Sequence, residues 1–334
     1  MNVLAAVFIM CCATFFTLGC MAESLEQRSK VSDLPVWASG YVEPFHADLT
    51  QWVENSSRSL DSFFGSTDAL TVENDSYLRL SYEVEWFEGR TKDHNLGVRF
   101  RLDLPTTEER FRFVIESEPE EYRGDLAGQE TSLNKDPDRS LRGILIGINR
   151  LSDRDKRKQW NAEFSAGIKL RLVFPDPYVR SVIQRQWALG TSPWQLHSDN
   201  RISWFNRDGY SARTRWDVGR PLGEQYYFRL LNNVQWRETE DTLEYSQALE
   251  LNHRLSPRSI FRYSAVVLGE SASNPAIEDT YFELRYRRNI HQGFTFIDIA
   301  PSLHFPREDD RKPHWALNIS IEMYFRRYID RASF

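Results

Sequence analysis

Trp315-Ala-Leu-Asn-Ile-Ser-Ile-Glu-Met-Tyr-Phe325 decides the fold class. Trp315, Leu317, Ile319, Ile321, Met323 and Phe325 take alternate positions, and Ala316, Asn318, Ser320, Glu322 and Tyr324 fill those between. Side chains of a strand point alternately to its two faces, so this segment has one oily face and one wet face. A strand of this kind suits a boundary between an apolar phase and a polar one.

Working back along the chain, the same period of two recurs. Leu78, Leu80, Tyr82, Val84 and Trp86 oppose Arg79, Ser81, Glu83 and Glu85, and Leu96, Val98, Phe100, Leu102 and Leu104 oppose Arg99, Arg101 and Asp103. Phe111, Phe113 and Ile115 follow a polar turn at 105–109, and Ile144, Ile146 and Ile148 resume after the long polar stretch 116–140. Trp160, Ala162, Phe164, Ala166, Ile168, Leu170 and Leu172 alternate with Asn161, Glu163, Ser165, Gly167, Lys169 and Arg171. Segments 178–187 and 194–205 are noisier, with Arg and Gln on both faces. Tyr210–Val218, Tyr226–Trp236, Leu243–Leu251, Phe261–Val267, Phe282–Tyr286 and Ile297–Phe305 carry the pattern on to the last strand.

This spacing predicts fourteen strands between Tyr77 and Phe325, at roughly 18 residues per strand with its connection, which suits a transmembrane strand plus a turn. Alternate connections are short, as in an up-and-down barrel. The short Phe174-Pro-Asp-Pro177 falls where a longer outer loop is expected, so twelve strands is the alternative. Mean hydropathy is −0.55 while aromatics make up 13% of the 334 residues. A barrel reconciles the two, because only every second strand position need be apolar. Soluble sandwiches alternate too, but their strands run to about five or six residues, and several here are longer with Trp or Tyr near their ends. The expected fold is all-β: a transmembrane antiparallel up-and-down β-barrel over 77–325.

Met1 to Ala22 has no charged side chain, and Val3 to Leu18 is nearly all apolar. This reads as a secretory signal over 1–22 with cleavage after Ala22. An uncleaved anchor, or lipidation of Cys20, are the alternatives. Cys11, Cys12 and Cys20 all lie in this leader, so cleavage leaves a cysteine-free chain suited to an oxidising compartment. Residues 23–76 read as a periplasmic segment: a polar tether over 23–43, then a helix over 48–65 with Asp48 as N-cap and Gly65 as stop. Residues 326–334 read as a tail. The net charge of −6 gives no basic footprint for nucleic acid.

Charges facing hydrocarbon cost about 2–4 kcal/mol at mid-membrane for Arg or Lys, so the charged stripe must face the lumen. The candidate site is this inward ring: Arg99, Arg101, Arg171, Arg213, Arg215, Arg229, Arg262 and Arg285 with Glu83, Glu163, Glu250, Glu283, Asp298 and Glu322. Two readings stand. Pairing across strands fills the lumen with a salt-bridged network, or the surplus of Arg makes an electropositive constriction that favours anions.

The spacings show no metal-ligand pattern, and no cofactor is expected. His197 shares a face with Asp199 and Ser203, and His304 with Ser302 and Asp298, so a Ser-His-acid cluster is geometrically accessible at either place. Polar lumen filling is the plainer reading of both.

Two stretches, Trp52-Val-Glu-Asn-Ser-Ser-Arg-Ser-Leu-Asp-Ser-Phe-Phe-Gly65 and Trp204-Phe-Asn-Arg-Asp-Gly-Tyr-Ser-Ala-Arg-Thr-Arg-Trp216, resemble a proteobacterial family of outer-membrane β-barrel proteins. The resemblance implies fold and outer-membrane location, with no established activity. Many barrels end on an aromatic read by the barrel-assembly machinery. Here the alternation stops at Phe325, which is expected to close the barrel. Expected partners are outer-membrane lipid and that machinery during insertion, with the chain a monomer. The functional expectation is a passive porin-like channel or structural envelope protein. A barrel enzyme acting on lipid or lipopolysaccharide is one alternative, and a surface receptor using loop 116–140 another.

Overall fold

A computed structural model of the chain describes residues 32–35, 38–40, 42–44, 46–47, 77–89, 92–105, 111–116, 144–151, 160–170, 175–190, 192–272 and 276–325. Among them run fourteen strands: β1 (Tyr77–Phe87), β2 (Asp93–Pro105), β3 (Phe111–Glu116), β4 (Ile144–Leu151), β5 (Trp160–Leu170), β6 (Asp176–Ala188), β7 (Gln195–Phe205), β8 (Gly209–Leu222), β9 (Tyr226–Arg237), β10 (Thr242–Ser256), β11 (Ser259–Glu270), β12 (Ile277–His291), β13 (Thr295–His304) and β14 (His314–Phe325). Each pairs antiparallel with its chain neighbours, and β1 pairs with β14 to close the barrel. The twelve-strand alternative falls away. β6 begins at Asp176, so Pro177 lies inside a strand, and both noisy segments form full-length strands.

The closing seam shows why the alternation is there. Outward residues meet outward ones, as in Leu80↔Met323, Tyr82↔Ile321, Val84↔Ile319 and Trp86↔Leu317. Inward residues meet as Arg79↔Tyr324, Ser81↔Glu322, Glu83↔Ser320 and Glu85↔Asn318. Ile319 and Ile321 are 37% and 44% exposed, whereas Ser320 and Glu322 are 4% and 7% exposed. Apolar outside and polar inside is the inverse of a water-soluble globule, and a belt of exposed Leu, Ile, Val and aromatic residues requires a lipid partner.

Aromatic residues gather at both rims of the belt. Trp160 and Trp187 stand on the outer face at the end where β1 begins, with ring centroids 6.3 Å apart, and Trp187 stacks in turn at 6.3 Å on Trp216, midway along β8. The Arg185 guanidinium lies 4.2 Å from the Trp160 ring and 4.6 Å from the Trp187 ring. Trp86, Tyr210 and Trp315 are exposed at the opposite rim. Rings with a polar edge suit the boundary between acyl chains and headgroups.

The inner face is less uniformly wet than its sequence suggests. Leu231, Ala248, Val266, Leu268 and Tyr281 form one buried cluster on it, and Leu145, Tyr178 and Phe205 another. Tyr178 lies over Gly147, where its hydroxyl would sit 2.3 Å from an added Cβ. Only glycine leaves that aromatic its place.

The predicted helix over 48–65 lies outside the described residues, as do loop 117–143, the leader and the tail 326–334. Helical residues occur earlier, at 38–40, 42–44 and 46–47, partly inside the stretch expected to be a tether. β14 ends at Phe325, which is fully buried beside Leu78.

Replacing Ile319, midway along β14, separates a lipid-facing position from a packed core. Ile319→Lys is expected to destabilise the refolded barrel by about 2–4 kcal/mol, and Ile319→Val by no more than about 1.5 kcal/mol. Denaturant titration in lipid vesicles measures both.

Candidate functional site: the charged lumen

On the inner wall the cross-strand register sets acids beside bases. Arg287 on β12 is the direct partner of Asp298 on β13, and its Nη1 donates to Asp298 Oδ2 at 2.9 Å. Its Nη2 reaches past Ser320 to Glu322 Oε2 at 2.8 Å. From the other side of the seam Arg79 Nη2 meets Glu322 Oε1 at 2.8 Å. The Tyr324 hydroxyl donates to Glu322 Oε2 at 3.0 Å. Glu322 is thus held by three donors from β1, β12 and its own strand.

A second run lies on β8 to β11. Arg229 bonds Asp217 and stands 3.5 Å from Glu250 Oε2, its direct partner across β9–β10. Arg262 lies 3.9 Å from the same Glu250 oxygen and donates to Asn252 Oδ1 at 3.2 Å. Between the runs, Arg285 grips Glu283 with two bonds of 3.0 and 3.2 Å. Bidentate geometry of this kind fixes both side chains.

The structure joins seven of the fourteen ring residues expected from sequence in these runs. Arg229, Arg262, Arg285, Glu250, Glu283, Asp298 and Glu322 belong to the runs above. Arg213 Nε donates to Asn233 Oδ1 at 2.9 Å. Glu83 is buried on the same wall, and Arg99 and Glu163 are half-buried there. Arg171 and the Arg101 side chain lie outside the described residues. Arg215 differs from its neighbours: half-buried and facing Asp199 and Asn233 in register, it makes no ion pair among the described residues. Asp199 is taken instead by Gln184 Nε2 at 2.6 Å.

Of the two histidine clusters read from sequence, one forms. His304 Nε2 lies 3.0 Å from Ser302 Oγ, and His304 Nδ1 lies 2.8 Å from Asp279 Oδ2. The Phe305 N–H donates to Asp279 Oδ1 at 3.1 Å, which orients the carboxylate. The acid is Asp279 and not Asp298, which Arg287 occupies. His304 is buried, with its ring stacked on Tyr281 at 4.7 Å. His197 stays exposed on the lumen face, while Asp199 is engaged by Gln184.

The first described residues dock on the barrel end where β1 begins and β14 stops. Ser32 bridges His291, and the Asp33 N–H donates to Ile290 O at 2.7 Å. The Asp33 carboxylate lies 3.0 Å from Arg258 and 2.8 Å from Arg288. His46 donates from Nε2 to Tyr324 O at 3.1 Å and stacks on Phe294 and Phe325. Burial pushes the Asp33 carboxyl up, but bonds from Arg288 and the charge of Arg258 outweigh it and hold it below the usual carboxylate range. Burial holds His46 below the ordinary imidazole value, despite the Tyr324 carbonyl.

These features define the class: a closed β-barrel of outer-membrane type, carrying an ion-paired lumen. Solved structures with a similar barrel include OmpT, an outer membrane protein of Vibrio cholerae (in vitro folded; 9% identity over 77% of this chain and 100% of that one, TM-score 0.39). Another is the anion-selective porin from Comamonas acidovorans (8% identity over 76% and 99%, TM-score 0.45). At these values the likeness transfers neither residues nor activities. No protein-family model matches the chain, and no curated protein matches it.

Two outcomes follow. Glu322→Gln leaves Arg79 and one side of Arg287 without a carboxylate and is expected to cost about 1–3 kcal/mol, read by denaturant unfolding. Acidification is expected to loosen the docked N-terminal segment in two stages. A folded pKa below the free value means stability present above that value and lost as pH falls. His46 therefore weakens docking below its free value of 6.5, and Asp33 below 3.8. Exchange protection of the Asp33 amide, corrected for intrinsic rate, measures both stages.

Proposed function

We propose that the chain is a passive, porin-like channel of the outer membrane, with a structural envelope role as the limiting case of a closed lumen. Support comes from barrel size: about eight strands enclose an interior that side chains fill, and larger barrels leave aqueous space. The inner wall is charged, and Asp298 Oδ1 and Asn318 Nδ2 are buried with no partner among the described residues. Such groups are satisfied by water in a hydrated interior.

The single observation that carries selectivity is Arg215. The ion-paired ladder is nearly neutral toward a passing solute, whereas an unpaired inward guanidinium attracts anions. Membership of the proteobacterial family suggested by residues 52–65 and 204–216 is part of the same proposal. The second of these stretches builds the β7–β8 hairpin, and the first lies outside the described residues.

A second reading, a barrel enzyme, rests on Ser302–His304–Asp279. The chain of bonds has the order of a nucleophile, its base and an orienting acid. It faces the lumen and not the lipid, so it suits a soluble ester better than a membrane lipid or lipopolysaccharide. A fluorophosphonate probe that labels Ser302 in the wild type, and not after His304→Gln, supports this reading. Absence of label on folded protein removes it.

Reconstituted in a planar bilayer, the protein is expected to carry a steady, anion-leaning current. Arg215→Glu should move the reversal potential toward cation preference. Absence of current under any voltage leaves the structural reading alone.

A further inference from the structure

On most of the barrel the outward face is apolar away from the rims, as with Leu317, Ile319 and Ile321 on β14 or Phe164, Ala166 and Ile168 on β5. One sector breaks the pattern. Across β7 to β10, midway along each strand, the outward positions hold Ser198, Asn200, Thr214, Asn232 and Gln247. The register places them side by side: Asn200↔Thr214, Trp216↔Asn232 and Asn232↔Gln247 are direct partners. Leu196 and Ile202, Ala212 and Val218, Leu230 and Val234, and Tyr245 and Leu249 flank this stripe above and below.

The stripe is bonded within itself. Asn200 Nδ2 donates to Ser198 Oγ at 2.7 Å, and Thr214 Oγ1 donates to Asn200 Oδ1 at 2.7 Å. Trp216 Nε1 donates to Thr214 Oγ1 at 2.9 Å, and Gln247 Nε2 donates to Asn232 Oδ1 at 2.9 Å. Two strong groups are left over: Asn232 Nδ2 and Gln247 Oε1 have no partner among the described residues. Hydrocarbon offers neither a donor nor an acceptor, so polar groups at this depth face protein partners.

We infer that the outer face of β7–β10 is the surface on which a second copy of this chain packs. The occupant follows from the chemistry. A primary amide is both donor and acceptor, so the spare donor of Asn232 and spare acceptor of Gln247 are matched by the same stripe on a symmetry-related copy. In an isologous contact the Asn232 donor of each copy faces the Gln247 acceptor of the other. The charge beside the stripe, Arg185 opposite Ser198, already lies against the Trp160 and Trp187 rings. Ile202, 63% exposed beside the stripe, supplies apolar contact around the bonds. On this inference the barrel self-associates where the sequence reading expects a monomer, whatever passes through its lumen.

The test uses cells making two differently tagged copies of the full chain, with photo-reactive p-benzoylphenylalanine in place of Ile202 or, as the opposite sector, Ile319. Illumination is expected to give an adduct carrying both tags from position 202 and none from 319. Asn200→Leu with Gln247→Leu should lower the position-202 adduct at least tenfold in barrels that keep heat-modifiable migration, and Gln247→Leu alone should lower it less. Adducts of position 202 with lipid only, with another protein only, or with both sectors equally would overturn the inference. So would a yield unchanged by the double substitution.

Discussion

The structure depends on one constraint: in hydrocarbon every backbone N–H and C=O must be bonded within the protein. A sheet meets it only by having no edge, which makes the β1–β14 pairing the defining interaction of the molecule. Once the sheet is closed, each side chain has two destinations, and its parity chooses between them. Ile319 to the lipid and Ser320 to the lumen are two consequences of one closure.

Sending charge inward creates a second requirement, because carboxylates and guanidiniums crowd on a concave wall. Pairing across strands relieves the crowding, and direct partners such as Arg287↔Asp298 and Arg229↔Glu250 do so at least cost in side-chain reach. At Arg215 the facing carboxylate, Asp199, is taken by Gln184, and no ion pair forms among the described residues. The ladder and Arg215 thus arise from the same placement rule.

Period two made most of the fold readable. β14, β5 and β9 were legible because lipid contact demands apolar residues at alternate positions while the lumen tolerates nearly anything polar. β7 was harder for a physical reason now visible: Ser198 and Asn200 point outward, so its lipid face is itself polar. Asp279 escaped notice because β12 begins at Ile277, inside a stretch that reads as loop, and only register brings it to His304. The buried inner clusters around Leu231 and Tyr178 were invisible because parity assigns a face without saying whether that face is wet. The docked segment around Asp33 and His46 carries no periodic signal, and its partners lie more than two hundred residues away.

Glu322 joins Arg79 across the seam and Arg287 two strands back, so β1, β12 and β14 are tied by side chains as well as by main chain. Prising the first and last strands apart would mean breaking a continuous ladder from Leu78↔Phe325 to Phe87↔Ala316 and parting Arg79 from Glu322. A barrel stitched in this way is sealed along the line where its two chain ends meet.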